Sequence, residues 1–270
     1  MDTPNPQVAA VIEAISKKAK YRAILPDLIA SLAAEELSKG RKFKDAIKEV
    51  SSRLHQVGAA YFTAMADYAA WHTELANLPT DMYSPQVKAF CLKHMQTHSS
   101  IQERLPFIEE FFHTTLASIA PVESVLDLAC GLNPLALPWM PLAGNVQYYG
   151  CDIFSDMTSF LNSFTGYLGV TGNFSTCDLT RLQFPRCTQI AYLLKTLPCL
   201  EQLEKGISER LLDTVPADYL LISYPIRSLG GRSKGMGKTY ENQFEKLMEG
   251  RNWQVMRFEF KTELAFLVKK

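Results

Sequence analysis

The chain has 270 residues and a mass of 30.4 kDa, with 47% hydrophobic and 21% charged residues. This excludes a disordered chain, a collagen-like repeat and a charged coiled coil, and it leaves enough chain to bury a large core without disulfides or metals. Lys+Arg (28) balances Asp+Glu (28), which excludes a uniformly basic nucleic-acid coat but not a local basic face.

Residues 1 to about 105 read as helices. Apolar positions recur at helical spacing in Val8–Ile15, Leu25–Leu37 and Phe43–Val57, punctuated by Pro26, Gly40, Gly58, Pro79 and Pro85. Ser84 before Pro85 predicts an N-cap and a first-turn proline for a helix running to about Met95. Ser100 with Glu103 three residues on fits a capping box, and Pro106 makes that helix kink or restart. Two basic groups stand out: Lys17, Lys18, Lys20 and Arg22, then Lys39, Arg41, Lys42, Lys44 and Lys48. Each is either a solvated helix face or a phosphate-facing surface, and charge alone does not decide between them.

From Val122 the period changes. Strands are predicted at Ser124–Leu128, Val146–Asp152, Asn173–Cys177, Gln189–Leu194, Asp218–Tyr224, Gln254–Phe260 and Leu264–Val268. Helices fall between them near Pro134–Pro141, Met157–Leu168, Leu200–Leu212 and Tyr240–Met248. Strands alternating with helices predict a parallel sheet covered on both faces. Only Lys261 to Glu263 separate the last two strands, so the final one is antiparallel. An α/β fold follows: the class I (Rossmann-like) methyltransferase sheet of seven strands, with an N-terminal all-helical domain. The expected domains are 1–105 and 106–270.

No cysteine pair has C-x2-C spacing and the five His are scattered, so no metal site is expected. The start of the chain lacks signal-peptide features, and no apolar run is long enough to span a bilayer. A cytoplasmic protein with reduced, mostly buried thiols is expected, without membrane contact.

The chemistry concentrates in Val125-Leu-Asp-Leu-Ala-Cys-Gly-Leu-Asn-Pro, a strand, a turn and a helix start. Asp127 lies near the strand's carboxyl end, Ala129 and Gly131 let a ligand approach the backbone, and Asn133 with Pro134 fits N-cap and first helical position. In open α/β sheets the ligand crevice lies outside the carboxyl ends of the strands. Asp152 ends the second strand and suits ribose hydroxyls. Asp178 ends the third and suits an adenine amino group. Leu194-Lys195 ends the fourth. Each acid alone is more often a helix cap, but three polar strand ends in register point to an adenosine. The turn lacks G-x-G-x-x-G, which favours S-adenosyl-L-methionine over a dinucleotide.

Several longer blocks carry a family resemblance. Asp127-Leu-Ala-Cys-Gly-Leu-Asn-Pro-Leu-Ala, Leu193-Leu-Lys-Thr-Leu-Pro-Cys-Leu-Glu and Ser223-Tyr-Pro-Ile-Arg-Ser-Leu-Gly-Gly-Arg-Ser-Lys-Gly-Met resemble the aminoglycoside-resistance 16S rRNA (guanine(1405)-N7)-methyltransferases. So do Leu54-His55, Gly58 to Tyr61, and His98-Ser-Ser-Ile-Gln-Glu-Arg-Leu. The resemblance runs from Lys20-Tyr21 to Glu263. It implies methyl transfer from S-adenosyl-L-methionine to N7 of one guanine in the 30S ribosomal subunit, by a monomer whose helical domain docks on the subunit. It further implies that Arg104 holds the cofactor carboxylate, with His98, Ser99 and Ser100 beside it. Ala129 and Gly131 line the methionine end, Asp152 binds the ribose, and Asp178 with Leu179 the adenine. Leu194 and Lys195 close the pocket, and Tyr61 contributes from the helical domain. The chain departs from the family pattern at Tyr224 and Ile226, on the side facing the target base.

Guanine N7 already carries an in-plane lone pair, so no general base is needed, and orientation carries the catalysis. The target base must leave its stack to reach the pocket. Lys17, Lys18, Lys20 and Arg22 are candidate rRNA contacts. So are Arg227, Arg232 and Lys234, on a loop from Pro225 to Tyr240 that has no acid and leaves the fifth strand. Two alternatives stand beside this reading: a class I methyltransferase of another RNA or a small molecule, and an inactive cofactor-binding protein associated with the ribosome.

Overall fold

The computed structural model describes residues 5–63, 65–181, 187–226 and 236–270. Seven helices come first: α1 (Pro6–Ser16), α2 (Pro26–Ser38), α3 (Phe43–Val57), α4 (Tyr68–Leu75), α5 (Pro85–Met95), α6 (Ser99–Gln102) and α7 (Ile108–Leu116). Their apolar stripes face inward. In α3, Ala46, Val50 and Leu54 recur every four residues and are fully buried, while Lys48 between them faces water. Ser84 caps α5 through the Val87 amide, as its sequence predicts.

The capping box expected at Ser100 does not form. Ser100 sits inside α6, whose N-cap is His98, and its hydroxyl pairs with His98 Nδ1 at 3.1 Å. After Arg104 the chain makes a 3₁₀ turn over Leu105–Phe107 around Pro106 and restarts as α7.

The second part alternates as expected. It runs β1 (Val122–Leu128), β2 (Leu142–Asp152), α8 (Ser155–Tyr167), β3 (Thr171–Thr176), β4 (Thr188–Leu194), α9 (Leu197–Leu203), α10 (Ile207–Thr214), β5 (Ala217–Pro225), α11 (Met236–Met248), β6 (Gln254–Glu259) and β7 (Glu263–Lys269). The strand order is β3-β2-β1-β4-β5-β7-β6, with β7 antiparallel to both its neighbours. The order reverses between β1 and β4, so the carboxyl ends of these two strands open the crevice where such sheets bind ligands.

Two further expectations change. The segment 200–212 is two helices, because Gly206 takes φ +81° and breaks the run. The segment after β1 is a 3₁₀ helix, Asn133–Trp139, with Pro138 inside it. Asn133 is not its N-cap; its side chain turns inward to Asp127 and Arg104.

One hydrophobic core runs from the N-terminal helices onto one face of the sheet, joining Val11, Leu54, Phe112, Phe160, Tyr148 and Leu267. The other face packs against α9, α10 and α11. The helical part is also stitched to the sheet by backbone hydrogen bonds: Leu25 N to Ile153 O (2.9 Å) and Ser155 N to Ala23 O (2.8 Å). These bonds bring the basic segment 17–22 to the end of β2. Among the described residues, no helix is long and apolar enough to cross a membrane.

Candidate cofactor pocket

A cavity opens at the carboxyl ends of β1 to β4. Ten residues singled out from the sequence line it: Tyr61, His98 and Ser100 from the helical part, Ala129 and Gly131 after β1, Asp152 at the end of β2, Asp178 and Leu179 after β3, and Leu194 and Lys195 at the end of β4. Ile153, Phe154, Thr196 and Cys199, which sequence reasoning did not single out, complete much of the wall. Ser99 and Arg104 do not line it.

The turn after β1 is built for close approach. Ala129 takes φ +52° and Gly131 φ +50°, a region that disfavours side chains. A Cβ on Gly131 would stand 3.1 Å from the His98 ring, so only glycine leaves this corner open. The Gly131 amide donates to Asp152 Oδ2 at 2.9 Å, and the Ile153 amide to Asp152 Oδ1 at 2.7 Å. Burial pushes the Asp152 carboxyl up to about 6, against the pull of these amides. Each oxygen keeps a lone pair for a further donor.

Asp178 sits two residues past the end of β3. Its Oδ1 accepts from the amide and hydroxyl of Thr180. Its Oδ2 is buried and, among the described residues, has no hydrogen-bond partner. A buried acceptor without a donor marks a place where a ligand donor fits.

On the opposite wall, His98 is neutral, because burial pushes its pKa down to about 4 and Lys195 adds to the shift. Its ring stacks on Tyr61 (5.9 Å, 12°) and meets Phe62 edge-on (5.0 Å). The Tyr61 hydroxyl pairs with Cys199 Sγ at 2.8 Å. Ser99 lies behind this wall and donates its hydroxyl to the Tyr61 carbonyl at 3.1 Å, fixing the backbone that carries the ring.

A buried charge network lies behind the turn after β1. Lys195 takes φ +58° at the end of β4 and sends Nζ to the Ser100 carbonyl (2.8 Å) and Glu103 (2.7 Å). Arg104 is 2% exposed. Its guanidinium is bidentate to Glu263 (3.1 and 2.5 Å) and donates to Asn133 Oδ1 at 3.1 Å. Its face lies 4.3 Å from the Phe111 ring. Glu263 is fully buried and also lies 3.6 Å from Lys195. Burial acts to raise the Glu263 pKa, but Arg104 and Lys195 hold the carboxyl below its usual range. Asn133 passes the network on to Asp127, which also accepts from Tyr148 at 2.6 Å. Burial pushes Asp127 up to about 7, with Asn133 and Tyr148 opposing.

The basic residues are exposed. Lys17 pairs with Glu13 (2.6 Å), Lys18 donates to Ser51 Oγ (2.9 Å), and Lys20 lies 4.7 Å from the Tyr21 ring centre. Lys20 and Arg22 rim a shallow second hollow floored by Phe62, Met65 and Phe154, beside the cofactor pocket. In the other basic group, Lys39 and Arg41 are tied to Glu36, which neutralises part of that face. Arg227, Arg232 and Lys234 lie outside the described residues.

This sheet, with a polar crevice at its switch point and an open glycine turn after β1, defines a class I methyltransferase. The ribosomal RNA methyltransferase (FmrO) profile matches residues 17–267. A 16S rRNA (guanine(1405)-N(7))-methyltransferase of Micromonospora echinospora is 32% identical over 269 residues, covering 99% of this chain and 98% of the relative. One of the same description from Serratia marcescens is 30% identical, covering 93% and 94%. The crystal structure of the 16S rRNA methyltransferase RmtF in complex with S-adenosyl-L-homocysteine superposes with a TM-score of 0.84 at 30% identity, covering 98% of this chain and 99% of that one. The chain belongs to the FmrO family of ribosomal RNA methyltransferases.

Proposed function

We propose that the protein transfers a methyl group from S-adenosyl-L-methionine to N7 of guanine 1405 in the 16S rRNA of the 30S subunit, acting in the cytoplasm as a monomer and conferring aminoglycoside resistance. One observation carries the reading: within a chain of this family, the orphaned Asp178 Oδ2, the doubly bonded Asp152 and the open Gly131 turn lie around one crevice. That set fits an adenosine with an amino-acid tail. Asp178 accepts from the adenine amino group, Leu179 packs beside it, and Asp152 accepts from the ribose. Ala129 and Gly131 give room to the tail, while Leu194 and Lys195 close the floor.

The cofactor, when bound, supplies an electrophilic methyl group. The protein's task is then to hold guanine N7 in line with it. His98 is neutral and hydrogen-bonded to Ser100, so it acts as a wall and not as an acid. Tyr61 is held by Cys199 and Ser99, and burial raises its pKa, so it stays a neutral ring at the pocket mouth. Arg104 acts from behind, through Asn133 and Glu263. The helical segment 1–105 docks on the subunit through Lys17, Lys18, Lys20 and Arg22, and Arg227, Arg232 and Lys234 also contact rRNA.

Incubation with labelled cofactor and 30S subunits, followed by mass spectrometry of the 16S rRNA, tests the reading. A single methyl group on guanine 1405 is the expected product. A methyl group elsewhere in the rRNA, or transfer only to small molecules, overturns the target. Cofactor binding without transfer overturns the activity.

A further inference from the structure

A second cavity lies across α9 from the cofactor pocket. Cys199 and Leu200 face the pocket, while Leu197, Pro198 and Glu201 of the same helix face the second cavity. Tyr224 at the end of β5 and Tyr240 and Gln243 of α11 form the opposite side. The volume is about 500 Å³, in the range of small-ligand sites.

Its floor holds a buried polar group. Tyr224 is 2% exposed, and its hydroxyl has no hydrogen-bond partner among the described residues. The ring is wedged against Tyr240 (5.2 Å, 21°) and meets Phe244 and Phe266 edge-on, so it does not swing out to water. Tyr240 and Glu201, both cavity walls, are the charged or titratable groups that add to the effect of burial in raising its pKa. Glu201 is fixed by amides: Ser208 N donates at 2.9 Å and Gly206 N at 3.0 Å. Burial acts to raise its pKa, yet these donors hold it below the usual range, so the wall carries a full negative charge.

These features select a ligand class. Glu201 and Glu209 repel phosphate, with Lys246 the cation among the lining residues. An apolar ligand would leave the Tyr224 hydroxyl unsatisfied. Stacked tyrosine rings favour a planar group. The two cavities are separated by one helix diameter, about 10 Å, short enough for neighbouring nucleotides of one strand.

We propose that this cavity is a second nucleobase subsite, which takes an rRNA base near the methylated guanine, directing an exocyclic amino group to Glu201 and a ring acceptor or carbonyl to the Tyr224 hydroxyl. It rests on the rRNA-methyltransferase reading above and adds to it a contact that fixes the substrate strand without touching the cofactor.

The test compares the parent with Tyr224→Phe and Tyr240→Ala in 30S methylation kinetics, cofactor calorimetry and thermal unfolding. Tyr224→Phe removes one buried oxygen that has no hydrogen-bond partner among the described residues. Its melting temperature should stay level or rise. Its KM for 30S subunits should rise roughly two- to tenfold, the range of one hydrogen bond, with kcat and cofactor affinity unchanged. Tyr240→Ala, which removes a wall, should raise KM further. An unchanged KM in both variants overturns the subsite. Loss of cofactor affinity along with the rise in KM also overturns it, because the cavity then belongs to the cofactor site. If the parent methylates no 30S subunits, the proposed function falls instead, and that result is visible before any variant is made.

Discussion

Glu263→Gln gives a stringent test of the buried charge network. Glu263 is fully buried, faces Arg104 at 3.1 and 2.5 Å, and lies 3.6 Å from Lys195. Glutamine keeps the shape and removes the charge. Lys195 retains Glu103 at 2.7 Å and the Ser100 carbonyl, so it stays compensated. Arg104 retains the Asn133 amide oxygen, its packing on Phe111 and the single amide oxygen of the glutamine, but loses its charged partner and faces an NH2 donor in place of the second oxygen. An uncompensated buried cation costs about 3–5 kcal/mol. For a chain of this size that corresponds to a fall of roughly 6–20 °C in melting temperature. The pH dependence has a defined sign. The native pKa of Glu263 lies below its unfolded value of about 4.3, so its contribution is present above that pH and is lost as pH falls through the native pKa. The gap between parent and variant should therefore be full at pH 7 and close in acid. Replacing both partners, as Glu263→Leu with Arg104→Met, should destabilise less than Glu263→Gln alone. Denaturant titration across pH reads all of this. A loss below about 1 kcal/mol at pH 7, or a gap that does not depend on pH, would refute the argument.

Four further outcomes follow from the same geometry. Asp178→Ala should weaken cofactor binding by roughly 10- to 150-fold, the equivalent of about 1.5–3 kcal/mol for one charge-assisted hydrogen bond, and calorimetry showing parental affinity would place the adenine elsewhere. Cofactor affinity should fall as pH drops from 7 to 5, because the Asp152 carboxyl, pushed up to about 6, must be ionised to accept from two ribose donors; a flat profile counts against this role. Stability should respond to the same group in the opposite sense, since a raised native pKa gives a contribution present at low pH and lost as pH rises through about 6. Lys20→Glu with Arg22→Glu should weaken 30S binding and flatten its salt dependence by roughly 0.7–0.9 for each phosphate no longer neutralised, with cofactor affinity unchanged; an unaltered salt slope would assign these side chains to a solvated face.

The sheet was legible because strand and helix periods differ, and because the short Lys261–Glu263 connection leaves only an antiparallel return for β7. The pocket was legible where position alone decides: Asp152, Asp178 and Lys195 are read from strand ends, and strand ends converge in this fold. What stayed hidden depends on which way a side chain turns. Asn133 has the spacing of an N-cap, yet the buried Asp127 and Arg104 outbid the helix amides for it. Ser100 has the spacing of a capping box, but the helix starts two residues earlier than that requires, with His98 at the N-cap, and the hydroxyl goes to His98. Glu263 is 159 residues from Arg104. Its one sequence signal is a lone acid opening an apolar strand, Glu263–Lys269, and a lone acid there reads equally as a hairpin turn residue.

For the function proposed above, the charge balance behind the pocket bears on which ligand fits, although Arg104 does not line it. Arg104 and Lys195 are matched by Glu263 and Glu103, so the charged pairs behind the pocket balance before anything binds. A phosphate placed there would bring net negative charge into a buried neutral region, next to Asp127 and Asp152, at a large desolvation cost. An amino-acid tail brings its own ammonium with its carboxylate and adds no net charge. Arg104 itself stays behind the wall: Glu263 takes two of its N–H donors and Asn133 one, so it holds the turn after β1 in place without reaching the pocket. The acids at the ends of β1 and β2 then favour a ligand with an additional positive centre, as a sulfonium provides. On the proposed function, charge type acts beside shape in selecting the cofactor, through residues behind the pocket wall as well as on it.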